Sequence, residues 1–166
     1  MKRLFLIVFT LVFTASCSTD HGRPIATLVY DRVEMTPSGI GFLISFTSDT
    51  DILSLFGPAI GEGMVCALED DHDFSVGHYL KRSGRGSVRF VDDTTGGHYQ
   101  SKLIFREAGQ SPGEETLLSG KALRDVLIKR ASMTCAFRVN TTGNRTYLSN
   151  PMLVPTADLV QAIDTP

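Results

Sequence analysis

The chain has 166 residues, 42% of them hydrophobic and 20% charged, with a formal net charge of −2. That length holds one domain with a real core and is too short for two comfortable ones. Its near-balanced charge, with no Lys/Arg cluster larger than the pairs Lys81-Arg82 and Lys129-Arg130, argues against nucleic acid as a partner, because such binders need a basic patch or stripe.

The first residues carry an address. Lys2 and Arg3 precede an apolar run from Leu4 to Phe13, and the small residues Thr14, Ala15 and Ser16 lead to Cys17. A basic start, an apolar stretch and a small-residue cleavage site describe an export signal. Ten helical residues cover only about 15 Å, half of a hydrocarbon core, which is too short for a permanent span. The stretch Thr14-Ala15-Ser16-Cys17 resembles the lipobox of bacterial lipoproteins, with Thr14 where that family prefers Leu. The resemblance covers residues 1–17 and implies removal of residues 1–16 and lipidation of Cys17. In that family a Ser after the modified Cys, here Ser18, goes with delivery to the outer membrane, facing the periplasm. Residues 17–24 are then the lipidated Cys and a polar tether reaching about 23 Å, and residues 25–166 form a single β-rich domain close to the membrane surface. Without Lys2 and Arg3, the 16 basic residues fall to 14 against 18 acidic ones, a formal net charge of −4.

The body reads mainly as strands. Residues 25–35 are rich in β-formers, Pro37-Ser38-Gly39 signals a turn, and residues 40–47 alternate, with Ile40, Phe42, Ile44 and Phe46 on one face. Further strands are predicted at residues 64–68, 74–81, 87–91, 99–106, 132–140 and 146–154. In residues 132–140, Met133, Cys135, Phe137 and Val139 share a core face, while Ser132, Thr134, Ala136 and Arg138 share a solvent face. Short helices are predicted at residues 49–56, at 117–127 with a start at Ser119, and at 156–163 with Thr156 as cap. Seven or eight strands without regular strand-helix alternation predict an antiparallel β-sandwich with two or three short helices.

Three cysteines leave one over in an exported chain. Lipidation uses Cys17, and Cys66 and Cys135, both in apolar segments, are expected to pair in a compartment where disulfides persist. A bridge closing about 70 residues stabilises a fold by roughly 4 kcal/mol on chain-entropy grounds.

Chemistry is sought in the loops. Glu69-Asp70-Asp71-His72-Asp73 sets five ligand-capable side chains in a row, but without the Gly and Glu spacing of an EF-hand. Glu69, Asp70, His72 and Asp73 are weak metal candidates against the plainer reading of a solvated acidic turn, and no metal or cofactor is expected. Two further histidines, His78 and His98, can reach this loop only through the fold, not through sequence proximity. Residues 82–87 read as a flexible cationic turn in which Arg82 and Arg85 offer forked donors to a carboxylate-bearing partner, and residues 92–97 as an acidic, Gly-rich counterpart. G-x-S-x-G and H-E-x-x-H are absent, so no enzyme is expected. The size and layout resemble small periplasmic immunity lipoproteins, which block toxins, and assembly lipoproteins of secretion machines. That resemblance implies a lipid-anchored module binding another envelope or toxin protein, with Asp70, Asp71 and Asp73 as contacts to a basic cleft. The alternatives are an assembly lipoprotein docking by a strand edge and a carrier of a small ligand or Ca²⁺.

Overall fold

The computed structural model describes residues 22–57, 59–92, 97–111, 113–142 and 145–165. The expected signal peptide, Cys17 and the first part of the tether lie outside them. In chain order the strands are β1 (Leu28–Met35), β2 (Phe42–Ser48), β3 (Ala59–Ala67), β4 (Arg82–Gly86), β5 (Val88–Asp92), β6 (His98–Ala108) and β7 (Glu115–Leu118), followed by β8 (Ser132–Thr141), β9 (Thr146–Leu148) and β10 (Met152–Pro155). Helix α1 (Gly120–Leu127) lies between β7 and β8, and α2 (Thr156–Asp164) follows β10.

Every strand pair is antiparallel, and the mainly β class with short helices holds. The expected sandwich does not. All ten strands belong to one sheet, ordered β1-β2-β6-β4-β3-β8-β10, with β5 and β7 also on β6 and β9 on β8, and that sheet curls into a half-barrel. A strand with one apolar face needs something to cover it, and curling lets one sheet face itself as well as a second sheet would. Phe42, Ile44 and Phe46 from β2, Tyr99, Leu103 and Phe105 from β6, and Phe137 and Val139 from β8 meet in one buried cluster. Ile40, expected to share that face, precedes β2 and stays exposed.

The two ends of the sheet approach each other through the chain entering β1. Ile25 N–H donates to the Leu148 carbonyl at 2.9 Å, and Asn150 N–H donates to the Ala26 carbonyl at 2.8 Å. Helix α2 packs on β1 with Leu159 in the core, and the Tyr30 hydroxyl donates to Asp158 Oδ2 at 2.7 Å. Thr156 is not its cap. Pro155 holds that position, and the Thr156 hydroxyl donates to the Arg130 carbonyl instead. The start of α1 matches expectation, with Ser119 at the cap position and Leu123 and Leu127 buried.

The expected disulfide is present. Cys66 and Cys135 are bonded and stand directly opposite each other on the neighbouring strands β3 and β8, so the bridge runs within the sheet and not between two sheets.

Three local readings give way to competing interactions. Residues 49–56 form turns and no helix, because Asp49 Oδ1 accepts the Thr27 N–H at 2.8 Å and Asp51 accepts the Tyr99 hydroxyl at 3.1 Å. Such side-chain bonds draw a short segment away from helical pairing. Residues 74–81 are irregular. Phe74 and Leu80 drop onto the outer face of the sheet, where they bury Val65, Ala67 and Ala136 in a second, smaller cluster. Thr134 and Ala136, expected to face solvent, are therefore buried. Residues 82–86, expected as a flexible turn, are the central strand β4 between β3 and β6. A side chain at Gly86 would place Cβ 1.9 Å from the Lys102 carbonyl oxygen, so this glycine serves close packing of backbones and not a turn. Strands β6 and β7 form a hairpin, with Gly109 N–H donating to the Glu114 carbonyl at 2.7 Å.

Candidate functional site

The acidic loop after β3 is held by its own neighbours. Glu69 Oε1 lies 3.2 Å from Arg82 Nη1, and Asp70 Oδ1 lies 2.6 Å from Arg130 Nη1. Asp71 Oδ1 accepts the Asp73 N–H at 3.1 Å, and Asp73 Oδ1 accepts the Ser75 N–H at 2.9 Å. His78 sits between the two carboxylates, its Nε2 at 2.6 Å from Asp71 and its Nδ1 at 3.4 Å from Asp73. The hydrogen bond to Asp71, backed by the charge of both carboxylates, raises the imidazole above its ordinary range. In turn His78 and the Asp73 N–H pull Asp71 below the ordinary carboxylate range. Of the two further histidines, His78 reaches the loop, while His98 pairs with Thr47 in the sheet. Glu69, Asp70, His72 and Asp73 turn to separate partners or to solvent, and among the described residues no group of three or more His, Cys, Asp or Glu side chains is arranged to hold a metal ion.

A second constellation is invisible in the linear sequence. The outer face of the sheet gathers Arg85 from β4, Arg89 from β5, Lys102 from β6 and Arg138 from β8. Because β4 and β5 pair with β6 in one unbroken register, with Arg85 opposite Ile104 and Arg89 opposite Gln100, Lys102 falls diagonally between the two arginines. Arg89 donates to the Gln100 side chain. Arg85, Lys102 and Arg138 make no ion pair among the described residues. Arg138 is half-buried, donates one bond to the Phe74 carbonyl at 3.3 Å, and is lowered from its ordinary pKa by burial and then by the charge of Arg85. Arg85 and Arg138 line a cavity of about 260 Å³ floored by Gly61, Gly63 and Gly86, and Glu62 and Asn140 also line it. Two guanidiniums in mutual repulsion thus stand with forked donors beside an open floor, and neither is ion-paired to Glu62.

Arg82, three residues before Arg85, has a different fate. It is half-buried between Glu69 and Glu107, the latter at 2.6 Å. Of the two arginines predicted to face a partner, Arg85 is exposed and has no ion pair among the described residues, and Arg82 is an internal tie.

A third concavity, about 660 Å³ between β1 and α2, has its polar groups matched internally. Tyr30 is bonded to Asp158, and Arg32 lies 2.9 Å from both Asp31 and Glu34. Burial, and then the Asp158 carboxylate, raise the Tyr30 phenol well above its ordinary value.

The acidic counterpart loop at residues 92–97 lies largely outside the described residues. The cationic face itself was missed in sequence because its members are separated by up to 53 positions, from Arg85 to Arg138. Its one trace is the alternation that puts Arg85 and Arg89 on a single strand face. Comparison of the chain with protein-family models, curated proteins and solved structures finds no match in any of the three.

Proposed function

We propose that this protein is a lipid-anchored binding module of the bacterial envelope, tethered through Cys17 to the outer membrane and facing the periplasm, that engages another protein as immunity lipoproteins engage toxins. The contact surface is the cationic outer face, and its partner presents an acidic surface. One observation carries this reading: Arg85, Lys102 and Arg138 share a face and make no ion pair among the described residues, while the acidic loop is engaged with its own cations and backbone. Unpaired like charges on one face are tolerated structurally and become favourable when a complementary surface arrives. Asp70, Asp71 and Asp73 then hold the loop over the sheet, with Asp70 the most exposed of them and the one still open to a partner's rim.

The anchor is tested by fractionating cells that express the full chain or Cys17→Ser after labelling with a palmitate analogue. The wild type enters the membrane fraction labelled, and the variant is unlabelled. The contact face is tested by placing a photo-crosslinking residue at Lys102 or at Asp70 in intact cells. A protein adduct from position 102 that disappears with Arg85→Glu/Arg138→Glu is expected. Adducts from position 70 alone would return the contact to the acidic loop.

The alternative of an assembly lipoprotein that docks by a strand edge is favoured by one specific feature, the edges of β5 and of the first half of β3 that have no ladder partner among the described residues.

A further inference from the structure

The sheet splits. Strands β4 and β5 run as one strand along β6, in register on either side of Ser87, with Arg85 opposite Ile104 and Val88 opposite Ser101. Strand β3 follows this strand only from Met64, opposite Gly86, to Ala67, opposite Ser83. Its first half pairs with β8 alone, and β5 pairs with β6 alone. Two edges therefore face a fork whose apex is Gly63 and Gly86, and neither edge has a ladder partner among the described residues. A Cβ at Gly63 would lie 2.6 Å from the Gly86 carbonyl oxygen, so the backbones are pinched at the apex, and the chain bends away beyond it.

Unpaired edges invite another strand unless they are blunted. The edge of β1 is blunted by a bulge between Tyr30 and Arg32, by the Asp31-Arg32-Glu34 ion pairs and by α2. The fork carries less protection. Ile60 is 68% exposed on one arm and Phe90 44% exposed on the other. A bulge between Phe90 and Asp92 interrupts the β5 ladder, which runs in register over residues 88–90 and resumes at Asp92 opposite His98. At the apex stand Arg85 and Arg138. Arg138 is opposite Gly63, which has no side chain to fill the space between them.

We propose that this fork accepts an extended peptide segment of the protein partner as an added strand, with a carboxylate of that segment held at the apex by Arg85 and Arg138. The backbone edges supply the ladder, and the forked guanidiniums supply direction and end-point. The carboxylate belongs either to a C-terminus or to an Asp or Glu side chain. An arm of five residues spans about 16 Å, so the recognised segment is short. This deepens the proposed binding role and rests on it for the partner being a protein. The fork itself is tested with synthetic peptides.

The experiment uses the full chain in detergent and pools of hexapeptides with alternating Thr, Val and Ile. One pool has a free C-terminus, one is amidated with a single Glu, one is amidated without an acid, and one is a free acid with alternate backbone nitrogens methylated. Hydrogen exchange is followed at residues 59–63 and 88–90. At least one of the two carboxylate-bearing, unmethylated pools slows exchange on both arms, and which one does so identifies the source of the carboxylate. The acid-free pool binds at least tenfold more weakly, the methylated pool gives no protection, and Arg85→Gln/Arg138→Gln abolishes the tenfold difference while retaining the thermal midpoint. Inorganic phosphate at millimolar concentration is the control. Phosphate binding with no peptide protection would reduce the fork to an anion site and overturn the proposal. Protection confined to β1, or none at all, would overturn it as well. None of these results moves the crosslink expected at Lys102, so the two readings fall separately.

Discussion

The acidic loop and the fork lie on the same outer side of the sheet, and charge is dense in both. In the loop, four carboxylates meet two arginines, one histidine and two backbone N–H groups. At the fork, among the described residues, two arginines make no ion pair and two strand edges have no ladder partner. The loop uses charge to hold itself on the sheet, over the small cluster of Phe74, Leu80, Val65, Ala67 and Ala136. The fork leaves charge and backbone open. A row of charges in sequence is thus a poor guide to where a partner binds; whether those charges already have neighbours decides it.

The strongest test removes the frame that both regions share. Both hang on β3, which the disulfide ties to β8 across a sequence separation of 69. Cys66→Ala/Cys135→Ala should cost about 4 kcal/mol of unfolding free energy, read from the urea midpoint at fixed slope. A loss below about 1 kcal/mol would show that the sheet does not depend on this tie. Next comes Phe74→Ala, which strips the loop of its buried anchor. It should cost about 3 kcal/mol and speed hydrogen exchange across residues 69–81, with no change at the two arms of the fork. Equal acceleration at the fork would mean that the two regions are one cooperative unit.

Much of the frame is legible in sequence, because a period of two survives folding. The alternation of Phe42, Ile44 and Phe46, the inward row from Met133 to Val139, the cysteine pairing and both true helices follow from local pattern. The curl is not legible, since one curled sheet and two stacked sheets present the same alternation. The identity of β4 is hidden for a different reason. Arg82-Ser83-Gly84-Arg85-Gly86 has turn composition, yet its glycines let neighbouring backbones come close. The site was half legible. Arg85 was identified within a segment given the wrong structure, and Arg138 was assigned to an outer face without a function. Their meeting depends on β3 separating β4 from β8, which is a fact of strand order and not of spacing.

A smaller effect, with opposite signs at two nearby positions, sharpens the contrast. Arg82→Gln removes the shared cation of Glu69 and Glu107 in a half-buried setting and should lower stability by about 1 kcal/mol. Arg85→Gln relieves repulsion on Arg138 and should raise stability by a few tenths of a kcal/mol. Thermal unfolding of the two variants side by side reads the difference. The same sign at both positions would mean that Arg85 has a partner in the folded chain, and the fork would lose its claim to an open cationic apex.

The smallest effect is a pH dependence confined to the loop. His78 is raised in the folded chain, so the stability it contributes is fully present below its unfolded value, about 6.5, and is lost as pH climbs through the higher folded one. Asp71 and Asp73 are lowered, so their contributions are present above about pH 4 and are lost as pH falls through their folded values. The clamp is therefore complete between about pH 4 and 6.5 and weakens on either side. Glu69, Asp70, His72 and Arg130 face the same loop, and their charges enter the titration as a background. The measurement is hydrogen exchange at residues 71–78 against pH, corrected for the intrinsic rate. His78→Gln should abolish the loss of protection on the alkaline side and leave the acid side, which belongs to Asp71 and Asp73 bonding backbone N–H groups, in place. An alkaline loss that persists in His78→Gln would assign the clamp to another group. Protection at residues 59–63 and 88–90 should not follow pH across this window, because no carboxylate or imidazole pairs with Arg85 or Arg138 among the described residues.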